Sequence, residues 1–165
     1  MANDTQDINE KFIEGMKIRA GKNNLNEQFI DGMRNRMRTS FHKYGQWKDN
    51  RPHVDAIKNI YARIEHYLKT GNTEGFIDAA NFSMMEASLP LRQDAHFNDD
   101  LDYKNLGIDV IENIHITIDH YLATGNTVSL MDAAAWCMVG FDQPAHPDAH
   151  FRAEASGESP SIKKF

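Results

Sequence analysis

The chain is expected to be all-α: a duplicated α-hairpin forming a four-helix bundle, with additional N-terminal helices. Three observations predict this. Residues 53–97 match residues 107–151 without a gap, at an offset of 54, and repetition at such a period suggests a repeated supersecondary unit. Within each unit the apolar residues keep helical spacing. No alternation of period two runs long enough to make a strand.

The chain opens on a polar, acidic stretch, and residues 1–7 are expected to be disordered, ahead of a single all-α domain at 8–151. Two short amphipathic segments follow. Asn9-Glu10-Lys11-Phe12-Ile13-Glu14-Gly15-Met16 is echoed seventeen positions on by Asn26-Glu27-Gln28-Phe29-Ile30-Asp31-Gly32-Met33. Gly21 and Asn23-Asn24 separate them as a stop followed by a cap. The second helix is expected to continue to Phe41 or Tyr44, where Gly45 ends it. Residues 45–52 read as a loop.

A long helix is then predicted from about 53 to 69, with Ile57, Ile60, Tyr61, Ile64, Tyr67 and Leu68 on one face. Thr70-Gly71-Asn72-Thr73 reads as a helix–helix turn. Gly71 takes the left-handed position, and Asn72 or Thr73 caps the next helix. That helix runs to about Ala87. So short a link makes the two helices an antiparallel pair. An acidic connection over 89–104 leads to the second hairpin, with helices at about 106–123 and 127–140. Pro144 and Pro147 begin the tail, and residues 152–165 form a C-terminal extension.

Composition narrows the class. The chain has 165 residues, with 41% apolar and 25% charged residues, which is ordinary for a globular domain with a real core. The absence of an 18-residue apolar run predicts no membrane partner, and the N-terminus has neither a secretory nor an Arg-rich targeting pattern. A single cysteine, Cys137, sits in an apolar helical pattern and fits a reducing cytoplasm. The net charge of −6 argues against general nucleic-acid binding. Basic residues nevertheless gather at Arg34, Arg36, Arg38, Lys43, Lys48 and Arg51. That cluster is either a solvated helix face or a phosphate-binding patch.

Comparing the two copies singles out four polar features. The Thr-Gly-Asn-Thr turn is needed for the turn itself. Asp55, Asn59 and His66 recur as Asp109, Asn113 and His120, on the helix face opposite the apolar stripe; they suggest an interface, a ligand site or a relic of duplication. Asp78 recurs as Asp132. In the first copy Glu74, Asp78 and Asn81 share a helix face and could present oxygens to Mg²⁺, whereas the second copy has Val128, Asp132 and Ala135 there. The other reading of these aspartates is that they bond the turn or pair with a neighbouring helix. Lastly, Asp94-Ala95-His96-Phe97 recurs as Asp148-Ala149-His150-Phe151. His96, His146 and His150 could be metal ligands, or the phenylalanines could anchor the chain while the histidines bond the backbone. No P-loop, nucleophile elbow, His-Glu-x-x-His or Cys-x-x-Cys pattern occurs, and no residue is singled out as catalytic.

The runs Arg36-Met37-Arg38-Thr39-Ser40-Phe41-His42-Lys43-Tyr44-Gly45, Thr70-Gly71-Asn72-Thr73-Glu74 and Asp78-Ala79-Ala80-Asn81-Phe82, with the His-Pro-x-Ala-His-Phe tail and Glu158-Ser159-Pro160, resemble a group of small phage and prophage proteins. The helix bearing Asp78-x-x-Asn81 also looks like that of the MazG-like all-α nucleoside triphosphate pyrophosphatases. Those enzymes hold Mg²⁺ on two acidic helix motifs and cleave between the α and β phosphates. The resemblance puts Asp78 and Asn81 in the second motif. The first should lie on the helix at 53–69, whose only acids, Asp55 and Glu65, are not spaced as that family requires.

The resemblance implies a nucleotide or other phosphorylated small molecule as partner, bound or sequestered without the full catalytic machinery. Arg36, Arg38 and Lys43 would hold the phosphates, and Tyr44 or Trp47 would stack on the base. The alternative is a Mg²⁺-dependent nucleoside triphosphate pyrophosphohydrolase with Glu65, Glu74, Asp78 and Asn81 around the metal. A third reading is an oligomeric interaction module using the Asp55/Asn59/His66 face. A homo-oligomer in the cytoplasm of a bacterial host is expected.

Overall fold

The computed structural model describes residues 4–101, 103 and 106–153. Seven α-helices appear among them: α1 Asp4–Ala20, α2 Glu27–Tyr44, α3 Trp47–Asn50, α4 Ala56–Thr70, α5 Glu74–Ser88, α6 Val110–Thr124 and α7 Val128–Asp142. Short 3₁₀ turns follow α1 at Lys22–Asn24 and α3 at Arg51–His53. The described residues form no β-strand, only two isolated bridges, Asn72 with His150 and His96 with Asn126.

Local chemistry sets the helix ends. Asn26 accepts from the Phe29 amide at 2.9 Å, Asp55 from the Lys58 amide at 3.0 Å and Asp109 from the Glu112 amide at 3.2 Å. Each satisfies an amide that the first helical turn leaves free. Gly71 and Gly125 close α4 and α6 in the left-handed region, at φ 81° and 80°. A side chain at either would be strained.

α5 and α7 pack against each other at the centre. α4 covers α5 and α6 covers α7, as the short turns require, while α2 lies on α5 and α1 on α7. Every residue from Glu74 to Ala80 is buried, so α5 is surrounded on all sides. Phe29, Phe76, Met84, Ile118 and Tyr121 are among the side chains filling the core. Each large apolar group buried this way stabilises the fold by roughly 1.5–3 kcal/mol.

The two N-terminal helices are equivalent as well as the two hairpins. Gly15 of α1 lies against the Met131 side chain on α7, and Gly32 of α2 lies against Ile77 on α5. Gly15 and Gly32 are seventeen residues apart, Ile77 and Met131 fifty-four. A Cβ on Gly32 would come within 2.7 Å of Ile77 Cδ1, so glycine is what lets α2 sit this close. The molecule therefore divides into two like layers, α2/α4/α5 and α1/α6/α7.

The Asp-Ala-His-Phe segments cross between these layers. His96 donates its amide to Gly125 O (3.0 Å) and accepts from the Thr127 amide (2.7 Å). His150 bonds Gly71 O and the Thr73 amide at 3.0 and 2.8 Å. Each copy's segment thus straps the other copy's turn. Asn126 completes one crossing with bonds to both backbone groups of Asn98, and Asn72 completes the other with both backbone groups of Arg152.

Several expectations change. α1 starts at Asp4, inside the stretch expected to be disordered; residues 1–3 and 154–165 lie outside the described residues. The stretch 45–52 holds α3 rather than an open loop, because Trp47 is only 9% exposed and folds into the core. α6 begins at Val110, not near 106, because Asp109 caps it.

The Asp55/Asn59/His66 set is not an exposed face. Asp55 and Asp109 are the helix caps. Asn59 and Asn113 are fully buried, Asn59 donating to Asp55 O and Asn113 bonding both backbone groups of Gly107. Asn113 ties the start of α6 to the preceding chain, and Asn59 bonds the cap residue of its own helix.

Candidate functional site

The repeated aspartates lie on the two central helices, where one turn of α5 or α7 meets an N-terminal helix. Asp78 accepts from Arg36 Nε at 3.1 Å, and Arg36 Nη1 stands 3.9 Å from Glu74 Oε2. Glu74 and Asp78 are one helical turn apart, so a single guanidinium reaches both. Both acids are buried, while Arg36 is partly exposed at the rim. This is the neighbouring-helix pairing that was one of the two readings of Asp78.

Asp132 is held likewise. Arg19 approaches it with Nε at Oδ1 and with Nη2 at Oδ2, the latter at 3.1 Å. Tyr103 adds a hydroxyl donated to Oδ2 at 2.6 Å. Burial pulls the Arg19 guanidinium down, but the hydrogen bond and charge of Asp132 outweigh it and leave the pKa raised. Burial, with the hydrogen bond to Asp132, pushes the Tyr103 phenol well above its usual value. A cleft of about 270 Å³ opens beside this group, lined by Arg19, Tyr103, Asp132, Trp136 and Val139 among others.

The remaining predicted residues are dispersed. Asn81 turns its amide nitrogen to Met33 O at 3.2 Å, tying α5 to α2. Glu65 is exposed on α4. Arg38 is exposed and bonds Asn35 Oδ1 at 2.7 Å. Lys43 lies over the Tyr44 ring at 5.4 Å, both exposed at the end of α2. Trp47 is in the core and does not offer a stacking face, so that part of the expected site is corrected. The structure brings together Arg36, Glu74 and Asp78, and places Arg38, Lys43 and Tyr44 farther along the same helix as Arg36.

The donor set fits Mg²⁺ poorly. Two of its four members face an arginine, whose charge competes for the same oxygens. Asn81 spends its amide nitrogen on Met33 O and leaves Oδ1 shielded without a hydrogen bond. Among the described residues, no three His, Cys, Asp or Glu side chains form a group able to hold a metal. The tail histidines use ring nitrogens on the backbone: His150 Nδ1 with Asp148 O and His146 Nε2 with Leu68 O.

A second buried ion pair escaped the sequence reading. Arg51 meets Glu86 with Nη2 and donates to Leu89 O and Val54 O at 2.8 Å each. Tyr121 donates its hydroxyl to Glu86 Oε2. Burial, with this bond second, pushes the Tyr121 phenol upward. The pair joins the segment before α4 to the end of α5 and to α6. A signal for Arg19 was present: the seventeen-residue echo extends three residues beyond Met16 and Met33 and pairs Arg19 with Arg36. Arg51 was read only as part of the basic cluster, from which its burial removes it, and nothing marked Tyr103.

No helix among the described residues is long and apolar enough to cross a membrane. No family model, curated protein or solved structure matches the chain.

Proposed function

We propose that the protein binds a nucleotide or a similar phosphorylated small molecule without hydrolysing it. One observation carries this reading: Arg36 engages Asp78 and stands beside Glu74. Hydrolysis of the MazG-like kind needs those carboxylates on a metal that polarises the phosphate and activates water. Here a cation of the protein's own already compensates them. The same guanidinium stands partly exposed on α2, with Arg38, Lys43 and Tyr44 toward the C-terminal end of that helix. Arginine presents its donors in a planar fork that matches the geometry of phosphate oxygens. Tyr44 supplies an exposed aromatic face for a base.

A thermal-shift screen against mono-, di- and cyclic nucleotides tests the proposal. A stabilising ligand whose effect falls at least tenfold in affinity in Lys43→Ala and Arg38→Ala supports it, and the absence of any stabilising nucleotide rejects it. Incubation with deoxynucleoside triphosphates and Mg²⁺ decides the catalytic alternative: steady pyrophosphate release abolished by Asp78→Asn would replace binding with hydrolysis.

A further inference from the structure

The two layers differ at one place in a way that leaves a space. On the α2 face three phenylalanines form a row. Phe29 meets Phe141 edge-on with centroids 5.4 Å apart, and Phe141 meets Phe151 edge-on at 6.0 Å. The matching positions on the α1 face are Phe12, Ala87 and Phe97, at the same offsets of seventeen and fifty-four. The middle ring is missing, because α5 carries alanine at the position where α7 carries Phe141.

A groove of about 560 Å³ lies there. Phe12, Ala87 and Phe97 line its apolar part, and Lys11, Arg19 and Asp99 also border it. Its volume is within the roughly 300–1,000 Å³ of small-molecule sites. Phe97 is 57% exposed and Ile18, at the rim, 78% exposed, so apolar surface is left facing water. Ser88, next to Ala87, lies in the same wall with its Oγ shielded from solvent. Its counterpart Asp142 accepts from Asn26 at 2.8 Å.

We infer that this groove binds a small aromatic molecule, one or two rings wide. The ring takes the place between Phe12 and Phe97 that Phe141 fills between Phe29 and Phe151. Apolar spaces left by a missing side chain are known to accept a benzene-sized guest, and edge contacts with two phenyl rings add to the affinity. The site is separate from the Arg36 region and does not depend on nucleotide binding.

The test uses 4-fluorophenol as probe, followed by ¹⁹F NMR on the full chain. Wild type is expected to bind it saturably with one site. Ala87→Phe restores the missing ring from within, so it should weaken the probe at least tenfold and raise Tm. Phe141→Ala opens the equivalent space and should add a second site. Lack of saturable binding by wild type overturns the proposal, as does unchanged affinity in Ala87→Phe. A lower Tm for Ala87→Phe also counts against it, because the groove would then not have the shape of the Phe141 site. If Phe141→Ala does not fold, the Ala87→Phe comparison alone decides.

Discussion

Arg19 grips Asp132 through Nε and Nη2, and Arg36 meets Asp78 through Nε at 3.1 Å, so each central helix carries one acid neutralised by one N-terminal helix. Removing one partner leaves a largely buried charge without compensation, which typically costs about 3–5 kcal/mol. Arg19→Ala should therefore lose stability on that scale in urea denaturation. Arg19→Ala combined with Asp132→Leu should recover much of it. An unaltered midpoint in the single variant would remove the pair from the list of structural ties.

Gly71→Ala and Gly125→Ala place a Cβ at positive φ and against backbone. The added carbon would stand 2.5 Å from Asp148 O in the first case and 2.7 Å from Asp94 O in the second. Conformational strain alone costs roughly 1–2 kcal/mol. The clash should also lift the crossing segment away. Faster amide exchange at His150 and Thr73 in Gly71→Ala, with His96 and Thr127 unchanged, is the expected pattern.

Alkaline pH should weaken the fold. Burial, followed by the charge of Asp119, raises the Tyr61 phenol to about 12, and burial raises Tyr103 and Tyr121 also. An acid raised on folding contributes fully below its unfolded value of about 10, and that contribution disappears as pH climbs through the folded value. Stability should be level up to about pH 10 and fall between about 10 and 12. Absorbance at the tyrosinate band in native protein should lag behind that in urea over the same interval. Coincident curves would contradict the assignment.

Cys137 is fully buried on α7, and burial pushes its thiol upward. A neutral, enclosed thiol is a poor nucleophile. Ellman's reagent should leave the native chain unmodified over an hour at neutral pH and label one thiol in denaturant. Prompt native labelling would show that α7 opens.

Much of the fold was legible because its determinants are local. The left-handed glycines at 71 and 125, the helical spacing of Ile57, Ile60, Ile64 and Tyr67, and the offset of 54 each lie within one unit of sequence. The site was less so, because its contacts are remote: Arg19 and Asp132 are separated by 113 residues. Asn59 and Asn113 misled for a related reason. A helical wheel shows direction alone, not the groups each side chain bonds, which are Asp55 O for Asn59 and both backbone groups of Gly107 for Asn113. Trp47 was misplaced because a short polar stretch reads as loop until a core exists to receive the indole.

The crossed segments have a consequence for how the chain comes apart. His150 is bonded to the Thr73 amide 77 residues earlier, and Thr127 to His96 across 31 residues. Each hairpin's latch is fastened by its sister, so neither half can be cut out whole. A fragment ending at residue 97 retains a latch with nothing to close and a turn with nothing to close it. Loss of order from the C-terminal side starts by loosening the first hairpin, and unfolding is thereby shared between halves that a simple pair of stacked hairpins would have kept independent.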